Sequence, residues 1–188
     1  MKRRSVFAFL AALLIIPAAA PAADSKLDLT QRFLLLATTK TSTMQKELSE
    51  AAAAGYRIIG SSPTAGNEMV VILEKVATPP QTYEYLLLAT TRTSTMQKEL
   101  SEAAAKGFRL MPKTIIAKEQ MLGGVEIVML LEKPPASQQR YKYLLLATSR
   151  TSTMQKEMAQ ATDEGYEVVG MASRGEHVVI MEKPEGSG

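Results

Sequence analysis

The chain has 188 residues, a formal net charge of +3 and no cysteine, which excludes disulfide bonds and a lipid anchor attached through cysteine. Lys2, Arg3 and Arg4 account for the positive excess, because residues 1–23 contain no acid and the remainder carries 19 basic and 19 acidic residues. A chain without net charge lacks the basic surplus of nucleic-acid-binding proteins, so we exclude that class of partner.

Residues 1–23 have the pattern of a secretory signal peptide. A positive segment (residues 2–4) precedes an uncharged apolar run (residues 5–16), and small residues follow at the cleavage site. We expect cleavage after Ala22 or Ala23 and an exported protein, in the periplasm or outside the cell. The apolar run is shorter than the ~20 residues of a spanning helix, so no transmembrane span is expected after cleavage. An uncleaved N-terminal anchor is the alternative.

The rest of the chain repeats itself three times. The sequence Thr-Ser-Thr-Met-Gln-Lys-Glu recurs after a Leu-Leu-Leu-Ala-Thr run, and each repeat closes on an apolar strand ending in Glu-Lys. Short connectors containing Pro-Pro separate the repeats and interrupt secondary structure. The three predicted copies span residues 31–75, 83–133 and 141–183, and a disordered tail is predicted at residues 184–188.

Each copy is predicted to contain a strand, a helix and two further strands. In the first copy the apolar run at residues 32–38 has strand length. Met44, Leu48 and Ala51 then recur at helical spacing and form one apolar stripe. Ser42 and Gln45 match a capping box at the helix start. Gly55 stands where a left-handed residue ends a helix, and residues 56–60 and 69–75 form the closing strands.

The strand composition indicates how the copies pack. Residues 34–37 and 70–73 are apolar at every position, which is typical of strands covered on both faces. A unit of about 45 residues also buries too little surface to be stable alone. We therefore predict an α+β fold of three tandem βαββ repeats, whose small antiparallel or mixed sheets share a core with the helices outside. A continuous side-by-side sheet is the alternative.

The junction Glu164-Gly165-Tyr166-Glu167-Val168-Val169 carries a family resemblance. It is similar to a family of small bacterial βαββ domains of unknown function, in which an acidic amphipathic helix leads into Gly-Trp-Glu-Leu-Val and a closing apolar strand. This chain has Tyr or Phe in place of the Trp, and Arg57 and Arg109 replace the glutamate in the first two copies. The resemblance implies the βαββ fold and no particular activity.

The most strongly repeated segment is the turn from the first strand into the helix. A basic residue there precedes hydroxyl side chains at the helix start, where free N–H groups and the helix dipole attract anions. One interpretation is an anion site used three times; the other is helix capping copied by gene duplication. The candidate anion-binding residues are Lys40, Ser42, Thr43, Arg92, Ser94, Thr95, Arg150, Ser152 and Thr153.

The sequence offers no catalytic or metal-binding constellation. His177 is the only histidine and lies at the start of a predicted strand, a usual place for a surface residue. The repeated acids Glu47, Glu99 and Glu157 belong to the first turns of the helices, where they favour the dipole. We therefore predict that the protein is not an enzyme and has no cofactor and no metal.

The second copy is longer than its neighbours. Its extra residues include two apolar segments before a Gly-Gly turn, which predicts an extended hairpin. Apolar residues on such an arm are normally hidden, either against the body of the protein or against a partner. Ile115, Ile116, Met121 and Leu122 are the candidate partner-contact residues, and self-association and intramolecular packing both remain open.

Together these features favour an exported, non-catalytic tandem-repeat protein that acts as a binding or scaffold module of the cell envelope. Its partner would be an envelope protein, a glycan or a small anion. An anion- or glycan-binding protein that uses the repeated loops is the second hypothesis. A carboxylate-based hydrolase is the third.

Overall fold

The computed structural model describes residues 27–63, 67–76, 82–120 and 123–186. The predicted signal peptide therefore lies outside the described residues. All strand pairings in these ranges are antiparallel, which confirms the α+β class with small antiparallel sheets.

The three copies have corresponding elements. The first contains β1 (Phe33–Thr38), α1 (Thr41–Ala53), β2 (Tyr56–Pro63) and β3 (Met69–Lys75). The second contains β4 (Glu84–Thr90), α2 (Thr93–Ala105), β5 (Arg109–Leu110), a 3-10 turn (Pro112–Thr114), β6 (Ile116–Glu119) and β7 (Val125–Lys133). The third contains β8 (Arg140–Thr148), α3 (Thr151–Asp163), β9 (Glu167–Ser173) and β10 (His177–Glu185). Because β10 continues to Glu185, the first two residues of the predicted tail are paired with β8.

Each copy forms its own sheet, with the closing strand in the centre. The strand orders are β1-β3-β2 and β8-β10-β9, and in the second copy both β5 and β6 pair with β7 on the side opposite β4. The first strand of each copy is therefore an edge strand. Within the described residues no continuous sheet runs through all three copies.

The helix ends confirm one sequence signal and correct another. Gly55, Gly107 and Gly165 have φ values of 84°, 92° and 87°. This left-handed conformation is common at the C-terminal end of a helix, and glycine adopts it without the steric strain that a Cβ atom would cause. The predicted capping box is wrong, because α1 begins at Thr41 with Lys40 at the N-cap and no side-chain capping bond. The side chain of Gln45 points instead to the next copy, as described below.

The core shared by the copies is divided between successive layers. One cluster joins α1 and its sheet to Tyr85, Val128 and Leu130 of the second copy. A second cluster joins α2 and its sheet to Val178 and Ile180 of the third copy. Alternate residues of the central strands thus face opposite layers, and α1 and α2 lie between two sheets.

The first sheet departs from the prediction that both faces are covered. Leu35 is 68% exposed and Ile72 is 37% exposed, whereas Leu34, Leu36 and Leu73 on the other face are buried. No other element among the described residues covers that outer face, so the apolar run of β1 is buried on one side only.

Candidate ligand-binding cleft

The helices α1 and α2 each contact the next copy through a glutamine side chain. The Gln97 side-chain amide donates to the backbone oxygen of Tyr143 (3.0 Å) and its carbonyl accepts from the backbone N–H of Leu145 (2.7 Å). Gln45 makes the same two bonds to β4, at 2.9 and 2.8 Å. The glutamine therefore satisfies backbone groups that an edge strand would otherwise leave unpaired.

A tyrosine hydroxyl makes the second repeated contact between copies. Tyr143 of the third copy accepts from the backbone N–H of Leu110 in the second (2.8 Å) and donates to Glu182 (2.8 Å). Tyr85 likewise accepts from Ile58 of the first copy at 3.1 Å and donates to Glu132. Burial in the low-dielectric interface raises the pKa of both tyrosine hydroxyls, and the adjacent carboxylates raise it further.

An arginine of one copy pairs with a buried glutamate of the next. Arg57 donates to Glu132 at 3.1 and 3.0 Å, and Arg109 donates to Glu182 at 3.0 Å. The hydrogen bond to each carboxylate raises the pKa of the guanidinium, so both arginines stay charged. Arg109 is also the Cα partner of Glu132 across β5 and β7. Arginine and glutamate side chains therefore alternate across the two contacts between copies.

This contact has no counterpart at either end of the array. The first copy has Phe33 at the position of the bridging tyrosine, and the third copy has Glu167 at the position of the arginine. Glu74, which corresponds to Glu132, is paired with Arg32 of its own copy at 2.8 Å. The sequence differences among the copies thus follow the presence or absence of a neighbour.

A cleft of about 520 Å³ opens beside this line of charges. Its walls come from the start of β2, from the interrupted strand of the second copy and from the connector between the second and third copies. Arg57, Arg109 and Lys113 contribute three cations, and Glu132 is the one carboxylate in the lining. Arg57 and Arg109 are paired with Glu132 and Glu182, so Lys113 is the one cation of the lining without a carboxylate partner among the described residues.

The cleft has unused hydrogen-bond donors. Arg57 and Arg109 are about half exposed and use Nε and Nη2 for the glutamates. Neither Nη1 group makes a hydrogen bond within the part of the chain that the structure describes. The guanidiniums are fixed by stacking on Tyr83 and Tyr141, with 4.8 and 4.2 Å to the ring centroids. Lys113 is exposed on the 3-10 turn. Guanidinium groups held in this way, together with the lysine ammonium, can bind a carboxylate, sulfate or phosphate.

The predicted anion-binding loops have different surroundings in each copy. Lys40, Arg92 and Arg150 are exposed N-cap residues, and Ser42, Ser94 and Ser152 are exposed on the first helical turns. Thr43, Thr95 and Thr153 are partly buried there. None of these residues lines the cleft described above. The third loop borders a separate shallow depression with Lys156 and Glu157.

The hairpin of the following copy covers the first two loops. Lys118 donates to the backbone oxygen of Thr39 (3.1 Å), and Arg174 donates to the hydroxyl of Thr93 (2.6 Å). Glu176 accepts from the same Thr93 hydroxyl. The side chain of Arg174 is 8% exposed and its Nη1 group has no hydrogen-bond partner among the described residues. These basic residues are therefore part of the contact between copies.

The candidate partner-contact residues of the second copy pack inside the chain. Ile116 is 5% exposed in the cluster shared with the first copy, so it is not available to an external partner. Ile115 packs against Gly170 of the third copy, where an added Cβ would clash with the terminal methyl of Ile115. Met121 and Leu122 lie outside the described residues. The longer second copy thus contacts both of its neighbours.

The acidic and histidine residues do not form a metal site within the described ranges, where no group of three or more His, Cys, Asp or Glu side chains converges. Glu132 and Glu182 are engaged by arginine and tyrosine donors, so neither carboxylate is free to act as a general base. None of the helices in the described residues combines the length and the apolar character needed to cross a membrane.

Comparison of the chain with protein-family models, with curated proteins and with solved structures finds no match.

Proposed function

We propose that the protein is an exported, non-catalytic binding module of the cell envelope that holds an acidic ligand in the cleft beside Arg57, Arg109 and Lys113. The observation that carries the proposal is a cleft of about 520 Å³ lined by Lys113 and by two arginines whose Nη1 groups make no hydrogen bond among the described residues. The ligand class is a small anion or an acidic glycan, recognised by the free guanidinium N–H groups and the lysine ammonium.

The rigidity of the cleft supports binding. Both arginines are held by buried glutamates and by tyrosine rings, so little side-chain entropy is lost when a ligand binds. The hypothesis that places the ligand at the repeated loops has less support, because the hairpin of the next copy already covers two of them.

Export is part of this proposal. N-terminal sequencing of the protein recovered from cells is expected to find Ala23 or Asp24 as the first residue. Recovery from the cytoplasm with Met1 intact would contradict export without bearing on the cleft.

A charge substitution in the cleft tests the binding site. Phosphate, sulfate and galacturonate are to be screened by thermal melting, since a ligand that binds only the folded state raises the melting temperature. We expect at least one of these anions to stabilise the protein, and the stabilisation to weaken as chloride screens the charges. Lys113→Gln, which leaves the Arg–Glu pairs intact, should lose most of that rise.

Lys40→Gln and Arg150→Gln are the matched controls, because both residues are exposed cations of the repeated loops. They should respond to the anions as the unmodified protein does. If the loop variants lose the response and Lys113→Gln keeps it, the ligand binds at the loops. If none of the anions stabilises the unmodified protein, the proposed anion site is wrong.

A further inference from the structure

Neighbouring copies contact each other through two different surfaces, and the first and third copies each leave one of these surfaces exposed. We call the surface that receives a preceding helix the entry face; in the third copy it comprises Tyr143, Leu145 and Glu182. The opposite surface, which meets the following copy, is the exit face. In the second copy it comprises Gln97, Arg109 and Leu110.

The exit face of the third copy is open. Gln155 aligns with Gln45 and Gln97, but it is exposed and makes no hydrogen bond among the described residues. Val168 aligns with Ile58 and Leu110, and it is 51% exposed whereas they are 3% and 2% exposed. The outer side of α3 keeps small or short side chains at Ala159 and Thr162, which leaves room for an edge strand.

The entry face of the first copy is open as well. Phe33 is 46% exposed and Leu35 is 68% exposed, at positions where Tyr143 and Leu145 of the third copy contact the preceding helix. β1 is an edge strand, and its Phe33 carbonyl and Leu35 amide correspond to the groups that Gln97 pairs on β8. An exposed edge of this kind is ready to bind another chain.

The charged residues at the two free ends differ from those of the internal contact. Within the chain an arginine on the exit face meets a glutamate on the entry face. At the free ends the exit face carries Glu167, and the entry face carries Glu74 with Arg32, which donates to Glu74 and whose side chain is 75% exposed. Phe33 has no hydroxyl group, so it places only an apolar ring opposite Val168. A contact between the two ends would therefore keep the apolar burial and would use Arg32 to bridge Glu74 of its own chain and Glu167 of the neighbouring chain.

We propose that the exit face of the third copy binds the entry face of a second copy of this chain, head to tail, through the geometry that joins the copies internally. Gln155 then pairs with β1 of the partner, Val168 covers Phe33 and Leu35, and Glu167 meets Arg32. Because the two faces differ, the contact is heterologous and continues into longer assemblies or closes into a ring. It lacks the tyrosine hydroxyl, so it is weaker than the internal contacts.

Two variants that each damage one face provide the test. Leu35→Glu removes the entry face and Val168→Glu removes the exit face, and both side chains are more than half exposed, so melting should show intact folds. Gln155→Arg is a second exit-face variant on the outside of α3. Sedimentation velocity should show the unmodified mature protein associating as its concentration rises, and each single variant staying monomeric.

Mixing the variants distinguishes a head-to-tail contact from any other. The intact exit face of Leu35→Glu can bind the intact entry face of Val168→Glu, and both remaining faces are damaged, so the mixture should stop at a one-to-one dimer. Ile59→Glu, at an exposed apolar residue of the cleft, should associate as the unmodified protein does. An unmodified protein that stays monomeric at all concentrations would overturn the proposal. So would single variants that still associate, or a mixture that forms no dimer.

Discussion

Tyr143→Phe is expected to lower the free energy of unfolding by about 1–3 kcal/mol, although it removes a single oxygen atom. The hydroxyl is the acceptor for the backbone N–H of Leu110 and a donor to Glu182. Its loss leaves a buried N–H without a partner and takes one donor from a buried carboxylate. Urea unfolding at neutral pH measures the change.

Tyr141→Phe is the matched control two residues away. Its ring stacks under Arg109, but its hydroxyl makes no hydrogen bond among the described residues, so the loss should fall within about 0.5 kcal/mol. Equal effects of the two substitutions would show that the Tyr143 hydroxyl does not bridge the copies.

The same hydroxyl makes stability depend on pH in the alkaline range. Burial raises the pKa of Tyr143 above that of an unfolded tyrosine, which is about 10. A group whose pKa is raised by folding contributes stability that is complete below its unfolded pKa and is lost as pH rises above it. Stability should therefore fall above about pH 10, and less steeply in Tyr143→Phe than in the unmodified protein.

The local elements of the fold were predictable because each has its own signal. The stripe of Met44, Leu48 and Ala51 is buried as predicted, and glycine ends all three helices. The helix start was misplaced, since Ser42 and Gln45 match a capping box while the side chain of Gln45 is used by β4. Side chains that match a local capping motif can instead make a tertiary contact.

The arrangement of the copies was not predictable from their shared residues. Gln45, Gln97 and Gln155 belong to the same repeated motif, yet two of them pair with an edge strand and the third is free. The positions at which the copies differ indicate how the copies are arranged. Arginine at 57 and 109 against Glu167, and tyrosine at 85 and 143 against Phe33, mark which copies have a neighbour.

The cleft was not predicted from the sequence, for a similar reason. Its three cations come from two copies and from a 3-10 turn that interrupts one strand, so no sequence motif joins them. In the sequence, Arg57 and Arg109 stood out only as departures from the pattern of the family that the junction resembles. The repeated loops attracted interest because they are identical, but gene duplication copies structural and functional residues alike.

Each copy is stabilised by its neighbours across a repeated contact. The second copy uses both faces of β7: Val128 and Leu130 pack toward the first copy, while Ile127 and Met129 join the cluster shared with the third. Removing the neighbours exposes Tyr85, leaves Glu132 without its arginine and uncovers the outer side of α2. In an array of this kind stability is a sum of unit and interface terms, and a unit alone loses both interfaces.

The most direct test is thermal and urea unfolding of the isolated second copy, residues 83–133, beside the three-copy chain and the two-copy chain of residues 24–133. We expect a cooperative transition for three copies, a less stable transition for two, and no transition for the single copy, whose circular dichroism should be that of an unfolded chain. A single copy that melts sharply as a monomer, at the temperature of the full chain, would show that the copies do not depend on their neighbours for stability.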